Sequence, residues 1–292
     1  MNELAQLVDD LCSRSTDDEL WGNLEDAGLT RLTSSQDAGP GEAAIVLSGL
    51  ARHAAAVPLA ETDLLAAWLA GKAGLPVPDT GPLTITFADA TAHDVQWPSS
   101  TVVSATRTAD ALHVGLIGGE LRTVDIGVAD ELTRRGAWAR CNQIIGALDA
   151  ACAMTVAHTA ERVQFGRQLN KFQAVQHSLA AMAGEIERAR AATALAIAAA
   201  TDYGFDHPTT DYAVTVAKVA VGRAVGPVTT IAHQLHGAIG VTAEHRLWRA
   251  TMRARSWVDD FGSTASYARK LGRIALAADD PWDVVVSYPA PR

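Results

Sequence analysis

The sequence predicts a mainly α-helical fold with a small β region in its middle. Apolar residues recur at helical spacing up to about residue 75 and again from about residue 129. Between these parts, four short runs alternate apolar and polar residues with period 2, and turn formers such as Gly81-Pro82 and Gly118-Gly119 separate them. We therefore expect an N-terminal helical domain over 1–75, a reduced middle β domain over 76–128, a C-terminal four-helix bundle over 129–278 and a tail over 279–292.

The N-terminal and middle regions are divided into short elements. Thr16, followed by three acidic residues, is a typical N-cap with a charged first turn, and Gly28 ends that helix. Further helices are expected over 43–56 and over 61–73, the second of which stops at Gly74. The period-2 runs predict strands over 83–87, 101–105, 111–117 and 121–126, enough for only a small sheet.

The C-terminal region is expected to form an up-and-down bundle of long helices. Amphipathic helices are predicted over 130–161, 172–203, 211–236 and 243–258, with a further segment over 264–278. Short connections favour antiparallel packing of consecutive helices. Pro227 is expected to kink the third helix, because a proline removes one backbone donor and crowds the preceding turn.

The composition excludes several classes of protein. The 292 residues carry 24 basic and 33 acidic side chains, a net charge of −9, and form no basic stripe, so no nucleic-acid partner is expected. The three cysteines lack paired spacing, which argues against a disulfide framework and indicates a cytoplasmic location. The first residues lack the order of a signal peptide, and charged residues interrupt each apolar stretch, so we expect no membrane span.

The common catalytic motifs do not occur in the sequence. There is no G-x-S-x-G, no H-E-x-x-H, no P-loop and no G-x-G-x-x-G after a strand. His233 and His236 lie three residues apart, as metal ligands can, but no cysteine or carboxylate accompanies them at a useful spacing. No metal site is therefore predicted.

Two segments carry residues suited to an anionic ligand. Residues 162–173, RVQFGRQLNKFQ, hold two arginines, a lysine and several amides but no acidic residue. Such a segment next to a helix start suits a diphosphate, although an interhelical turn with solvated arginines explains it equally well. Residues 234–240, QLHGAIG, end the third bundle helix with two glycines, which permit close approach of a ligand or simply cap the helix.

Together these two segments resemble the C-terminal domain of the acyl-CoA dehydrogenase family. The order of helices, sheet and bundle is also that of the family, and the first helical region resembles it more weakly. The features that carry the resemblance are Arg162-x-x-Phe165-Gly166 with Phe172-Gln173, and Gln234-x-x-Gly237-x-x-Gly240 about 60 residues later.

The resemblance implies an FAD-dependent enzyme that introduces an α,β double bond into a CoA thioester. In that reaction a carboxylate removes the α-proton while the flavin accepts the β-hydride. The resemblance also places the flavin at a subunit interface. It puts Arg162, Gln234, Gly237 and Ala238 near the flavin diphosphate, and Phe165 and Gln173 beside the adenosine half.

The sequence departs from the family where the reaction itself takes place. The middle region is short and lacks the Thr/Ser-rich segments that hold the flavin ring. Phe261 falls where the family has its usual catalytic glutamate, Asp260 is one residue away, and Gly136 falls where other members place the base. A displacement of about 1 Å costs roughly a hundredfold in rate, so Asp260 is expected to be a poor base.

These observations lead to one main hypothesis and two alternatives. The main hypothesis is the short subunit of a heterotetrameric acyl-CoA dehydrogenase, of the type used in actinobacterial steroid degradation. A longer partner chain would then carry the base and the complete β domain. The alternatives are a self-sufficient homomeric dehydrogenase that uses Asp260, and a non-catalytic scaffold without flavin.

Overall fold

The N-terminal part consists of short helices, as the sequence predicts. The computed structural model describes residues 3–34, 38–87, 97 and 99–286. Thr16 starts the second helix, where its backbone N–H and its hydroxyl both donate to the Glu19 carboxylate. The elements are α1 Glu3–Arg14, α2 Asp17–Asp26, α3 Pro40–Arg52, a π-helical stretch Ala60–Ala67, and α4 Trp68–Ala73, which continues that stretch.

The π-helical stretch joins the N-terminal helices to the sheet. Its residues Glu61, Thr62 and Asp63 are all buried. The Thr62 hydroxyl donates to the Leu83 carbonyl at 2.8 Å and accepts the Leu83 N–H at 3.0 Å. Asp63 accepts the N–H and the hydroxyl of Thr33 at 3.1 and 2.9 Å. The sequence predicts an α-helix over 61–73, but its first part has the rarer π-helical geometry with i→i+5 hydrogen bonds. In this geometry the three consecutive polar residues are all buried.

Asp63 is expected to make the protein less stable as the pH rises. Burial raises the pKa of Asp63 from 3.8 to about 6, although Thr33 partly opposes the shift. Between these values the folded chain keeps a proton that the unfolded chain has lost, so stability falls with rising pH, by about 3 kcal/mol for this group. Urea unfolding at pH 4.5 and 7.5 should show this loss, and Asp63→Asn should remove it. An identical pH dependence in the variant would contradict the assignment.

The middle region forms a four-stranded sheet. Its strands are β1 Leu83–Phe87, β2 Thr101–Arg107, β3 Ala111–Leu116 and β4 Arg122–Asp125, and they lie in that order across the sheet. The first pair is parallel and the other two pairs are antiparallel. Alternate residues such as Val103, Ala105 and Val114 are buried. The period-2 pattern therefore located all four strands to within one or two residues.

The C-terminal region contains three long helices and several shorter elements. They are α5 Ile126–Glu161, β5 Val163–Gln164, β6 Arg167–Gln168, α6 Gln173–Tyr203, α7 Pro208–His236, α8 Leu247–Trp257, α9 Thr264–Ala277 and α10 Pro281–Val286. The helix predicted over 243–258 is present as α8, but it starts four residues later than predicted and is shorter than the other three bundle helices. The His245 ring accepts the Leu247 N–H at 3.1 Å, so α8 begins only there. Helix α7 also continues through Pro227, which lies on its exposed side.

Long helices are fixed against one another by a few close contacts. Trp138 is fully buried on α5, and its indole donates to the Ala196 carbonyl of α6 at 3.1 Å. A Cβ atom at Gly146 would lie 2.0 Å from the Ser48 carbonyl, so glycine is required where α3 crosses α5. One continuous apolar core includes residues of the N-terminal helices, the sheet and the bundle. The division at residues 75 and 128 stays a prediction from the sequence.

One helical stretch meets the length and composition criteria for a membrane span. It covers Pro208–Val241, with a mean hydropathy of 1.2 in its most apolar window, and 61% of that window is buried inside the protein. The stretch contains Lys218 and Arg223, two charged residues that interrupt its apolar sequence. The expectation of no membrane span stays a prediction. Core helices of soluble proteins meet the same criteria. The three cysteines, Cys12, Cys141 and Cys152, are free thiols.

Candidate functional site

Residues 162–168 form a small hairpin that projects from the end of α5. Strands β5 and β6 pair around Phe165 and Gly166, which have φ angles of 52° and 77°. Positive φ at both central residues is the geometry of a type I′ hairpin turn. The position of Phe165 is unusual because a bulky residue is strained in the left-handed region. Its ring is also 90% exposed. A strained and exposed phenylalanine is typical of a contact made with another molecule.

The strain at Phe165 predicts an unusual order of stability. We expect Phe165→Gly to be more stable than Phe165→Ala by about 1 kcal/mol, because both variants lose the ring but only glycine adopts φ of 52° without cost. In an ordinary strand or helix alanine is the more stable of the two. Urea unfolding of the two variants checks this order, and the reverse order would show that the turn is not strained.

An exposed aromatic and cationic surface continues from the hairpin to the start of α6. The ring of Phe172 lies edge-on to that of Phe165, with centroids 6.2 Å apart, and the Arg167 guanidinium lies 4.0 Å from the Phe172 ring centre. Arg162 and Gln173 are exposed beside it. The N-cap residue of α6, Phe172, makes no capping hydrogen bond with its side chain. The free N–H groups and the positive end of the helix dipole therefore favour an anion at this place.

The end of α7 presents the second segment predicted from the sequence. Gln234, Gly237 and Ala238 are exposed. Gly237 has φ of 65°, which ends the helix. The other glycine has a different function: a Cβ atom at Gly240 would lie 2.8 Å from Cβ of His236. Gly240 therefore packs the turn onto the protein instead of exposing its backbone to a ligand.

Two histidine rings bring the segments together. The rings of His158 on α5 and His236 on α7 stack with centroids 4.5 Å apart. Arg162 follows His158 by one helical turn, and its N–H donates to the His158 carbonyl at 2.9 Å. Gln234 and Gly237 flank His236 in the sequence. The structure thus joins the ends of the two helices that carry the predicted anion-binding residues.

The two positions at which a catalytic base is expected lie against each other. A Cβ atom at Gly136 would lie 2.4 to 2.5 Å from three atoms of the Phe261 ring. Phe261 is buried, with φ of 57°, and its ring meets that of Phe87 at 6.3 Å. The ring of Phe261 therefore fills the space next to Gly136, and neither of the two positions supplies a carboxylate.

Asp260 is held in a buried ion-pair network. The Arg140 side chain is 2% exposed and donates to Asp260 Oδ2 at 2.7 Å, to Glu61 Oε1 at 2.8 Å and to Gln143 Oε1 at 2.7 Å. Burial alone would lower the pKa of Arg140, but the two carboxylates raise it. A carboxylate paired with a buried cation is stabilised in its charged form. This pairing disfavours Asp260 as a proton acceptor.

The chain from Val258 to Phe261 is fastened by two further side chains. The ammonium of Lys218 donates to the carbonyls of Val258 and Asp260 at 2.7 and 2.8 Å. The Tyr267 hydroxyl donates to the Phe261 carbonyl at 2.9 Å. Burial lowers the pKa of Lys218 and raises that of Tyr267. These hydrogen bonds hold the backbone of residues 258–261 in one position against α7 and α9.

Comparison with known proteins identifies the family of the C-terminal region. Residues 126–264 match the family model for the acyl-CoA dehydrogenase C-terminal domain. This region is therefore similar to the C-terminal domain of acyl-CoA dehydrogenases. The resemblance inferred from residues 162–173 and 234–240 is therefore confirmed. Acyl-CoA dehydrogenases are FAD-dependent flavoproteins.

The curated relatives include acyl-CoA dehydrogenases and one other CoA-thioester enzyme. Acyl-CoA dehydrogenase IpdE2 of Mycolicibacterium smegmatis is 30% identical over 149 residues, which are 51% of this chain and 45% of that protein. The 3-sulfinopropanoyl-CoA desulfinase of Paraburkholderia xenovorans is 34% identical over 125 residues, 43% of this chain and 31% of that protein. The chain thus spans less than half the length of these relatives.

Solved acyl-CoA dehydrogenase structures share the fold of nearly the whole chain. The Tcur3481-Tcur3483 steroid ACAD variant superposes with a TM-score of 0.80 at 21% identity, over 94% of this chain and 97% of that one. The ChsE4-ChsE5 complex from Mycobacterium tuberculosis gives a TM-score of 0.77 at 21% identity, with the same coverage. Butyryl-CoA dehydrogenase from Megasphaera elsdenii gives 0.74 at 18% identity, also over 94% and 97%. The predicted mainly α fold with a small sheet is confirmed.

Proposed function

We propose that this chain is the short subunit of a heteromeric, FAD-dependent acyl-CoA dehydrogenase. It supplies the diphosphate and adenosine side of a flavin site, and a longer acyl-CoA dehydrogenase chain supplies the flavin-ring pocket and the base. One contrast carries the proposal. The donor side chains of Arg162, Gln173 and Gln234 are exposed, whereas the base positions are closed by Phe261 packed against Gly136.

The exposed residues fit the diphosphate half of FAD. Arg162 offers a bidentate donor to a phosphate, and the N-terminus of α6 offers free backbone N–H groups. Gln234 and the backbone at Gly237 and Ala238 add polar groups from α7. When bound, FAD accepts the hydride that leaves the acyl chain. The role of this chain is to hold and orient the cofactor.

The adenosine half is matched by the hairpin. The exposed ring of Phe165 presents a flat apolar face. Gln173 directly follows Phe172, whose ring meets that of Phe165, and its exposed amide donates and accepts hydrogen bonds. The strain at Phe165 is consistent with a ring that is held in place for an external contact. Phe165 and Gln173 are both exposed in the single chain. A site that a second chain completes requires such exposed residues.

Proton removal is assigned to the partner chain. A base must have a carboxylate oxygen free to reach the α-proton of the substrate. Asp260 and Glu61 both pair with Arg140, and Phe261 covers Gly136. Neither carboxylate is therefore placed to accept that proton, which weakens the alternative of a self-sufficient homomer that uses Asp260.

The similar structures and the apolar surface support assembly of this chain with a different chain. They also support a substrate with a bulky acyl group. Two of the similar structures are described as pairs of differently named proteins, one of them as a steroid enzyme. We extend this to a heterotetramer acting on a steroid-derived acyl-CoA in the cytoplasm. Large apolar side chains on the helical surface are exposed and suit burial against a partner: Val156, Leu195, Trp248, Met252 and Leu276.

Purification from the native host tests this proposal. A tagged copy should bring down a longer acyl-CoA dehydrogenase chain in equal amount, and the complex should show the visible absorption of bound flavin. A yellow homomer that turns over without a partner would support the Asp260 alternative. A complex that stays colourless after addition of FAD would support the scaffold alternative and refute the shared site.

A further inference from the structure

Three imidazole rings form a cluster at the point where α5, α7 and the turn after α7 meet. We call His158, His236 and His245 the histidine cluster. The rings of His158 and His236 stack at 4.5 Å, that of His245 meets His236 at 4.7 Å, and His158 and His245 lie 6.5 Å apart. Each ring thus contacts others that become cationic on protonation, and like charges at this distance repel.

His236 is the buried member of the cluster, only 6% exposed. Its Nδ1 lies 2.8 Å from the Ala232 carbonyl oxygen. In the neutral ring Nδ1 therefore carries the hydrogen atom and donates a hydrogen bond to that oxygen. Its Nε2 is buried and has no hydrogen-bond partner among the residues that the structure describes. A proton added at Nε2 would create a charged donor without an acceptor in a site closed to water.

The charged surroundings of the cluster give little compensation. On α5, Arg162 opposes a positive charge on His158 and Glu161 favours it. On α7, His233 faces His236, and Arg255 of α8 opposes protonation of His233. Burial lowers the pKa of both His158 and His236. Within the described part of the chain, no ion pair joins any of the three rings to a carboxylate. The Ala232 carbonyl, at the negative end of the α7 dipole, is the main group that favours the cation.

The cluster supports the residues assigned to the flavin diphosphate. Gly240 packs so closely on His236 that a Cβ atom there would lie 2.8 Å from Cβ of His236. Gly237 and Ala238 lie between these two positions, so the turn packs against the His236 side chain at Cβ. The ring of His245, which follows the turn, meets the His236 ring at 4.7 Å. His158 occupies the last helical turn of α5 before Arg162, and its backbone carbonyl accepts the Arg162 N–H. The stacked rings of His158 and His236 join the ends of α5 and α7, so a ring that moves out to be solvated separates the two parts of the candidate site.

We propose that the histidine cluster is a proton-sensitive positioning element of the flavin site. While the imidazoles of His158 and His236 are neutral, the cluster holds Arg162 and the 234–240 turn together. When these two rings are protonated, Arg162 and the turn separate and the cofactor is released. His158 and His236 are positioning residues, since they act through Arg162 and the turn. The inference rests on the proposed function for its ligand, but the coupling of the cluster to the turn is a property of this chain.

Flavin titration at two pH values tests the release of cofactor. For the purified complex, the Kd for FAD is expected to rise at least tenfold from pH 7.5 to 5.5, the ratio that corresponds to one pKa unit. In His236→Leu, which keeps the bulk but does not titrate, the rise should stay under threefold. His113→Gln, in the sheet and bonded to Thr123, is the matched control and should behave like the unmodified complex. An unchanged pH dependence in His236→Leu would overturn the proposal.

Hydrogen exchange separates this inference from the proposed function. Amide protection over 237–245, corrected for the intrinsic pH dependence of exchange, should fall between pH 7.5 and 5.5 in the unmodified chain and remain constant in His236→Leu. If FAD does not bind at pH 7.5, the proposed function fails, and the exchange result still decides the inference. Constant protection in the unmodified chain would overturn it, whatever the flavin result.

Discussion

Replacing Arg140 by methionine is expected to lower the free energy of unfolding by about 3–5 kcal/mol. The guanidinium is 2% exposed and bonds to both Glu61 and Asp260. Without it, the buried Glu61 carboxylate and the partly buried Asp260 carboxylate both lose the guanidinium that neutralises them, and removing one partner of a buried pair costs this much. Urea unfolding at pH 7.5 measures the loss. The effect is large because the network joins the π-helical stretch, α5 and the chain before α9.

Two further variants show that the loss comes from uncompensated charge. Arg190→Met breaks a half-exposed pair with Asp149, and we expect a loss of only about 0–1 kcal/mol. Adding Glu61→Gln and Asp260→Asn to Arg140→Met should recover at least about 2 kcal/mol, because the stranded charges are removed. If the triple variant is no more stable than Arg140→Met alone, the loss arises from packing and the electrostatic explanation is wrong.

Replacing Arg162 by alanine is expected to weaken FAD binding by the complex about 10- to 100-fold. A hydrogen bond to a charged group contributes about 1.5–3 kcal/mol, which corresponds to this ratio. Because Arg162 is exposed and outside the core, folding should be unaffected. Turnover per bound flavin should also persist, since the chemistry is assigned to the partner. Fluorescence titration of the apocomplex with FAD measures the effect.

A matched arginine makes the Arg162 experiment specific. Arg14 is exposed on α1 and pairs with Asp10 on the same helix. Arg14→Ala removes the same charge and should leave the Kd for FAD within twofold. Equal affinity in the complex with Arg162→Ala would remove Arg162 from the flavin site and favour a scaffold without cofactor contacts.

The sequence predicts most of the fold because local signals agree with the packing. The strands are found by alternation, and α2, α5 and α6 begin or end within a few residues of their expected limits. The errors occur where a tertiary contact decides. Thr62 and Asp63 reach separate partners and favour a π-helix, and the His245 ring delays the start of α8. Neither contact has a pattern in the neighbouring sequence.

The sequence predicts the two segments of the candidate site, but it does not predict the contacts that join them. The segments around Arg162 and Gly237 stand out by their donors and glycines, but the stack of His158 on His236 that joins them does not. The sequence also places Phe261 and Gly136 as two separate departures from the family. Only the structure shows that they fill one space. Arg140 has a weak signal, as a cation one helical turn before the buried Ile144.

The stoichiometry of flavin in the purified complex tests the central claim most directly. The complex would be stripped of FAD, titrated with FAD, and its subunit ratio measured in the same sample. The account predicts one FAD for each pair of unlike chains, and no FAD retained by this chain when it is isolated. Two FAD molecules per pair, or stoichiometric binding by the isolated chain, would show that this chain has a complete site of its own and would contradict the account.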